Sequence, residues 1–446
     1  MSDVTLGKGP ASQDWTSKDA AKRVRRRYAA DRRLQAYGIA GIAIAVGLLG
    51  VLLASIIATG YQAFVQTEID LEIYVDPTKV DPKNPAQGNF RALVRDALTT
   101  IFPQAQSPKQ KTELTKVLTA DAPYILRDYV LAHPDSIGQR IILAIPASDP
   151  FDQLNKGVIP KYQDSAAESA VVRSDVVRTI NPRFSALQIE AFEALETKGL
   201  VHTPFNWGLF FNADSRFPER AGLAGAITGS FYMLLVCFAL SFPIGIAAAV
   251  YLEEFAPKNR LTDLIEVNIN NLAAVPSVVF GLLGLAVFLG FFGLPRSTPL
   301  VGGIVLSLVT VPTIIIATRA SLKAVPPSIR EAALGVGASA HQVVLHHVLP
   351  LAMPGIMTGT IIGMARALGE TAPLLLIGMN AFIPSVESMG VLEPATALPT
   401  QIFSWADSPE RGFVARTSAA ILVLLGFLIA MNMVAIVLRH RFERKW

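Results

Sequence analysis

A charged pair inside an apolar segment is the strongest chemical signal in this sequence. Arg366 and Glu370 stand four residues apart in "GMARALGETAPLLLIGMN", so on a helix they would share one face. At mid-bilayer depth each charge costs about 2.5–3.5 kcal/mol, whereas a Leu returns only about 0.3–0.6 kcal/mol. The pair should therefore face a bundle interior or a water-filled path. Two interpretations stay open: a self-neutralising structural clamp, or an anion site in which Arg366 offers bidentate donors to a tetrahedral oxyanion and Glu370 holds it.

Polar residues also interrupt a second apolar segment. Asn271 and Ser277 flank Pro276 there, and Asn268 and Asn270 precede them. In an apolar setting such residues either hydrogen-bond between helices or line a cavity. Both roles remain open for each of them.

A polar segment with helix start and stop signals, "PPSIREAALGVGASAHQVVLHHVLP", lies between two apolar stretches. Ser328 followed by Glu331 predicts a capping box at the start of one short helix. The glycines, Gly337 among them, predict a break. Ser339 is expected to cap a second short helix, which Pro350 is expected to end. The pattern predicts a compact two-helix knob.

Several classes of protein are disfavoured by what the sequence lacks. The histidines of the polar segment (His341, His346 and His347) have no carboxylate or thiolate neighbours at a metal-binding spacing, so we predict no metal site. There is no G-x-x-x-x-G-K-[ST] loop, paired-Cys motif or nucleophile elbow, so we expect no catalytic residues and no cofactor in this chain. The single Cys237 precludes an intrachain disulfide.

The composition is that of a membrane protein, with 51% hydrophobic and 17% charged residues. Since a crossing helix needs about 20 apolar residues, six segments are long enough to span. They are 37–59, 221–252, 264–292, 299–320, 352–379 and 417–438.

Lys and Arg beside the spans predict the orientation. Both the N-terminal tail and the C-terminus are rich in them, which places both ends in the cytoplasm. A nucleic-acid role for the basic tail is less favoured than this topological one. We thus divide the chain into a basic cytoplasmic tail (1–36), transmembrane helix 1 (37–60), an extracytoplasmic domain (61–219) and a core with five helices (220–446) that contains a cytoplasmic loop (321–350).

The region 61–219 exceeds ordinary loop length and is predicted to fold. "RALVRDALTTIF" and "SALQIEAFEALETKG" have helical periodicity, and "QRIILAIPA" is predicted to be a short buried strand. The domain could pack near the mouth of a pathway and contact a delivering protein, or it could be a passive insertion. The sequence does not separate these two.

The polar knob resembles the "EAA" loop of ABC-importer permeases. The matching positions are Glu331, Ala332, Ala333, Gly337, Leu349 and Pro350, and His347 departs from the usual Ile. The resemblance implies that these residues couple the chain to an ATP-binding subunit.

Further motifs resemble the A-type permease subunit of phosphate-specific ABC importers. They are "RALGETAPLL", "NLAAVPSVVFGLLGL", "AAAVYLEEFAP" and "PGIMTGTIIGMARA", in the expected order over about half the chain. The resemblance implies that Arg366 and Glu370 lie on a phosphate route, and we place Asn271 and Ser277 on the same candidate path. Arg319 is interpreted first as a snorkelling interface residue and second as an anion contact.

The resemblance implies a fold and a role. The fold would be an all-α polytopic membrane protein of six transmembrane helices, with type I, MetI-like architecture and a large extracytoplasmic insertion between helices 1 and 2. The role would be that of a transmembrane subunit of an ATP-driven phosphate importer in a bacterial inner membrane. Its implied partners are a second related permease, two ATP-binding subunits that hold ATP and Mg, an extracytoplasmic phosphate-binding protein and membrane lipid, with no nucleic acid. A permease for sulfate or molybdate is the alternative, and a membrane sensor is a more distant one.

Overall fold

The chain divides into two compact units, residues 1–58 and 59–446. The computed structural model describes residues 18–164, 178–385 and 390–442. In the first unit, helix α1 (Lys18–Gly60) begins within the basic segment and continues through the apolar one. Its 43 residues extend about 65 Å, twice the thickness of a hydrocarbon core. The apolar part matches the predicted first span, whereas the tail predicted at 1–36 is already helical from Lys18.

Residues 61–219, which we call the intervening domain, form a three-stranded sheet, a separate two-stranded sheet and several helices. The elements are β1 (Glu68–Tyr74), α2 (Phe90–Ile101), α3 (Pro108–Leu114), α4 (Ala122–Ala132), β2 (Arg140–Pro146), α5 (Asp149–Asn155), β3 (Tyr162–Asp164), β4 (Arg178–Ile180), α6 (Ala186–Thr197), β5 (Val201–His202) and α7 (Gly208–Phe211). The two-stranded sheet pairs β3 with β4. The two helices predicted from periodicity are confirmed as α2 and α6. Their N-caps are Asn89, which accepts from the Ala92 amide, and Ser185, which forms a capping box with Gln188.

The predicted strand is present in the three-stranded sheet, but its predicted burial is wrong. β1 lies between β2 and β5 and pairs antiparallel with both, with Glu68 opposite Pro146 and also opposite His202. The strand predicted in "QRIILAIPA" is present as β2, but it is not buried: Ile142 is 74% exposed. β2 is an edge strand and only one face of the sheet is covered by the core. The all-α description therefore applies to the membrane part and not to this domain.

The remaining helices are long and apolar or short connectors. They are α8 (Ala224–Val250), α9 (Arg260–Ala273), α10 (Ser277–Leu283), α11 (Pro299–Lys323), α12 (Pro327–Gly335), α13 (Ala340–Val343), α14 (Leu349–Gly369), α15 (Ala372–Leu376), α16 (Leu398–Ala406) and α17 (Gly412–Phe442). Wider π-helical turns follow α8 (Tyr251–Phe255) and α10 (Gly284–Phe291) and join α13 to α14 (Val344–Val348). Among the described residues, five helical stretches are long and apolar enough to cross a membrane, and there are six if one bent pair of helices is counted as a single span.

Two predicted spans have different geometry from that expected. The segment 264–292 is not one helix, because the chain bends by 101° between α9 and the helix that starts at Ser277. The segment predicted at 352–379 starts earlier and ends earlier: the helix runs over Ala340–Gly369 and then stops. Pro276 and Pro373 each lie next to a break, as N-cap of α10 and near the start of α15. Pro243 and Pro312 are instead accommodated inside α8 and α11.

Glycines allow the core helices to approach closely. A Cβ at Gly303 in α11 would lie 2.6 Å from Val236 Cγ1 and 2.7 Å from the Met233 carbonyl oxygen of α8. A Cβ at Gly281 in α10 would lie 2.7 Å from Cα of Pro373 in α15. These separations are too short for a side chain, so the backbones pack directly.

Candidate functional site

The predicted knob is a helix, a glycine turn and a second helix that continues into a long one. α12 ends at Gly335, and Gly337 has φ of +90°, which glycine adopts at low cost. Ser339 caps α13 through a capping box with Gln342, as predicted. The predicted start of the first helix and the predicted end of the second are wrong. Pro326 is the N-cap of α12, so Ser328 does not cap it, and Pro350 lies in the first turn of α14 and does not end a helix. Pro350 lies directly after the π turn Val344–Val348, inside the continuous helical run Ala340–Gly369.

Burial divides the residues of the "EAA" pattern into three sets. Ala333 is only 6% exposed and packs with Val343 and Val348 in an apolar cluster, so it holds the knob together. Glu331, Ala332 and Gly337 are exposed, whereas Leu349 and Pro350 are half-buried at the base. Two large apolar side chains, Leu334 (53% exposed) and Val336 (87% exposed), extend the exposed face. Sequence reasoning did not identify these two, although apolar residues in a polar loop are a usable signal.

The turn makes a local prediction about stability. Gly337→Ala should destabilise the knob by about 1–2 kcal/mol, because an L-residue with a side chain resists positive φ. No heavy atom other than those of Gly337 and its chain neighbours lies within 4 Å of a Cβ built there, so the cost comes from the backbone alone. Faster hydrogen exchange of the amides of α13 would measure it. Gly335→Ala is the matched control, since that site is equally open and lies at a helical φ; equal exchange in both variants would contradict the prediction.

Five charged residues link the base of the knob to three other elements. Arg330 of α12 donates to Glu254 Oε1 (2.8 Å) and to the carbonyl oxygens of Val325 (2.8 Å) and Leu322 (2.9 Å). Arg319 of α11 donates to Glu266 Oε1 (2.6 Å) and Glu253 Oε2 (3.2 Å). Glu253 and Glu254 belong to the π turn after α8, and Glu266 belongs to α9. We call these five residues the charged network.

The charged network shows which groups Arg319 contacts. Its side chain is 16% exposed and is held by two carboxylates, so it is an ion-pair residue and not a free cation at an interface. Sequence reasoning missed the partners because they lie 53 and 66 residues away. The available signal was the acidic pair in "YLEEFAP", at the end of an apolar segment on the same predicted side as Arg319 and Arg330.

The Arg366–Glu370 pair lies at the end of a helix. Arg366 Nε is 3.6 Å from Glu370 Oε1, and the side chains are 49% and 18% exposed. α14 ends at Gly369, so Glu370 is its C-cap with an extended backbone. The guanidinium therefore keeps most of its donors available beside a break in the helix.

Asn271 and Ser277 lie on either side of the other break. Asn271 is in the last turn of α9 and exposed, and Ser277 opens α10. α10 packs against α15, which begins two residues after Glu370, through the Gly281–Pro373 approach. The structure thus brings the two broken segments together. Within the described residues no hydrogen bond joins Asn271 or Ser277 to the charged pair.

Known proteins resemble two parts of this chain. Residues 241–446 match the family "Binding-protein-dependent transport system inner membrane component", and residues 21–165 match "Domain of unknown function (DUF3333)". The phosphate transport system permease protein PstA of Yersinia pestis is 32% identical over 48% of this chain and 71% of that protein. PstA of Haemophilus influenzae is 30% identical over 53% of this chain and 82% of that protein. The chain belongs to the PstA family of ABC-importer permeases.

Two further known proteins are similar to this chain. The probable ABC transporter permease protein YqgI of Bacillus subtilis is 29% identical over 54% of this chain and 85% of that protein. Among solved structures, the inward-facing MetNI methionine ABC transporter aligns with a TM-score of 0.41 and 16% identity, over 50% of this chain and 98% of that one. As a PstA-family member with apolar helices, the chain is a multi-pass inner-membrane permease subunit that works with ATP-binding and substrate-binding partners.

The match to DUF3333, residues 21–165, covers most of α1 and most of the intervening domain. The folded unit continues beyond the matched residues, since Phe184, Ile189 and Phe192 belong to the same apolar core as β1 and α2. The PstA-like part and this domain are thus joined in one chain.

Proposed function

We propose that this chain is a transmembrane subunit of an ATP-driven importer of inorganic phosphate. The observation that carries the proposal is the 30–32% identity with PstA proteins over 71–82% of their length. An arginine with free donors beside a helix break supports it, because a guanidinium suits the geometry of a tetrahedral oxyanion. Arg366 would contact phosphate, and Glu370 would hold Arg366. Asn271 and Ser277 would line the same path from the neighbouring broken helix.

Both termini would be cytoplasmic and the intervening domain extracytoplasmic. The basic residues before the first span and after the last one support this orientation. The exposed face of the knob, with Glu331, Ala332, Leu334 and Val336, would then dock on an ATP-binding subunit. Two such subunits holding ATP and Mg, a related second permease and a phosphate-binding protein would complete the importer. ATP-site closure would displace the knob and reopen the bundle outward.

The test is uptake by the assembled importer in proteoliposomes. We expect uptake of labelled phosphate that requires internal ATP and that persists in excess sulfate and in excess molybdate. Suppression by either competitor would overturn the choice of phosphate in favour of a broader oxyanion permease. Failure to transport any of the three would overturn the proposal.

A further inference from the structure

A cleft of about 720 Å³ lies between the helices of the intervening domain and the segments that lead into α8 and α17. One wall comes from α2 and from the residues around α3, and the other from 217–219 and 409–411. Residue 219 precedes α8 by five positions, and residue 411 immediately precedes α17. Because α8 and α17 are both candidate spans, the proposed topology puts the cleft at the level where two spans leave the membrane. Its volume is typical of sites for small ligands.

Four cations without partners line this cleft: Arg91, Lys116, Arg183 and Arg411. In the described part of the chain, none of their side chains has an ion pair or a hydrogen bond. Elsewhere in the intervening domain several cations are paired, for example Lys79 with Asp96, Arg127 with Asp128, Arg140 with Glu72 and Lys156 with Asp152. The cleft therefore contains a cluster of cations that are not in ion pairs.

The carboxyl groups of the cleft do not cancel this charge. Three are present, on Asp149, Glu219 and Glu410. Burial raises the pKa of both Asp149 and Glu219, which disfavours their charged forms. Glu410 and the four cations are all exposed to solvent, so screening there acts on both signs of charge. The balance is net positive even if all three are ionised.

The backbone that carries the four cleft cations is held by local hydrogen bonds and a helix cap. Arg91 lies in the first turn of the capped helix α2. The Lys116 carbonyl accepts from Ser148 Oγ (2.7 Å), and the Arg183 amide donates to Asn181 Oδ1 (3.2 Å) beside the buried Phe184. Because the backbone is fixed, a ligand has to order only the side chains of these cations.

We propose that this cleft binds a phosphate-type oxyanion, as an entry site on the outer side of the membrane. The unpaired guanidinium and ammonium groups supply charge-assisted donors, and Arg supplies the bidentate geometry that phosphate oxygens accept. Assigning phosphate rests on the proposed function, whereas the preference for an anion rests on the charges alone. The same chemistry could come from free phosphate or from the headgroup of an anionic lipid, since the cleft lies beside the membrane surface.

The experiment is equilibrium binding of labelled inorganic phosphate to the full chain in phosphatidylcholine nanodiscs. It is done in an Arg366→Gln background, so that the cleft alone is tested. We expect saturable binding that weakens about tenfold or more in Arg91→Gln/Arg183→Gln, because two charge-assisted contacts are lost. Lys83→Gln/Lys109→Gln is the matched control: it removes the same charge from exposed residues that do not line the cleft and should leave binding unchanged.

A parallel arm identifies the source of the anion. If the occupant is a lipid headgroup, phosphate binding will be absent, and co-purified phosphatidylglycerol will be retained by the parent and lost by the cleft variant. Binding and lipid retention that are equal in the cleft variant and the control would overturn the proposal. The proposed function fails separately: uptake by the importer could be absent while the cleft still binds phosphate.

Discussion

Arg366→Gln is expected to lower ATP-dependent phosphate uptake by about tenfold or more. A hydrogen bond to an ionised group contributes about 1.5–3 kcal/mol, and each 1.4 kcal/mol is a factor of ten. Arg366 is 49% exposed and its Nε lies 3.6 Å from Glu370 Oε1, so the exposed part of the guanidinium is available to a solute. Gln keeps a donor but loses the charge and the fork geometry. Initial rates of labelled phosphate uptake in proteoliposomes measure the effect.

Two further variants decide between a solute contact and a structural clamp. Glu370→Gln should reduce uptake less than Arg366→Gln, because the cation that contacts phosphate would still be present. A clamp would lose the same interaction in both variants and give equal losses of uptake and of thermal stability. Lys258→Gln removes an exposed cation outside this site and should transport normally. Normal uptake by Arg366→Gln would remove Arg366 from the pathway.

The spans were predictable from the sequence because long apolar segments need no knowledge of their neighbours. The breaks were not, since a hydropathy window averages across residues 274–276. Pro276 signals a possible interruption, but the bend of 101° depends on packing of α10 against α15. The same limit applies to Pro350, which reads as a stop signal but begins α14. From the sequence alone, Pro350 could have ended a helix or followed the start of one. The fold distinguishes the two, because the helix continues from α13 into α14.

The candidate site was predictable where the signal is local. The Arg366–Glu370 pair follows from i,i+4 spacing, and the Ser339 cap follows from the Gln three residues later. The sequence pattern places Ala333 in a docking motif. In the structure Ala333 is buried against Val343 and Val348 across the turn, which the motif alone does not predict. The charged network joins four elements that are distant in sequence, so pairing of Arg330 with Glu254 required the fold.

Breaking the pair between Arg330 and Glu254 should uncouple ATP hydrolysis from uptake. This expectation rests on the proposed docking of the knob, because Arg330 is the residue through which α12 holds its neighbours. It donates to the carbonyl oxygens of Leu322, in the last turn of α11, and of Val325, just after α11, and to a carboxylate after α8. The side chains of Arg330 and Glu254 are 25% and 12% exposed. A displacement of α12 would therefore pull directly on α8 and α11.

We expect a graded series of variants. Arg330→Gln should lower the ratio of phosphate transported to ATP hydrolysed by about tenfold or more, since removing one partner of a largely buried pair costs about 3–5 kcal/mol. Glu254→Gln should have a smaller effect, because the two carbonyl contacts of Arg330 remain. Lys323→Gln is the control: Lys323 lies 3.5 Å from Glu253 but is 58% exposed, and such pairs contribute little.

The readouts separate uncoupling from loss of the complex. The ATP-binding subunit should co-purify with every variant, because Glu331, Ala332 and Val336 still form the exposed face of the knob. ATP hydrolysis should persist while uptake falls. The swapped variant Arg330→Glu/Glu254→Arg should recover part of the transport lost in Arg330→Glu, since it restores the ion pair but not the contacts with the carbonyl oxygens of Leu322 and Val325. Parallel losses of hydrolysis and uptake, or no recovery in the swap, would mean that this pair only stabilises the fold and does not transmit the movement.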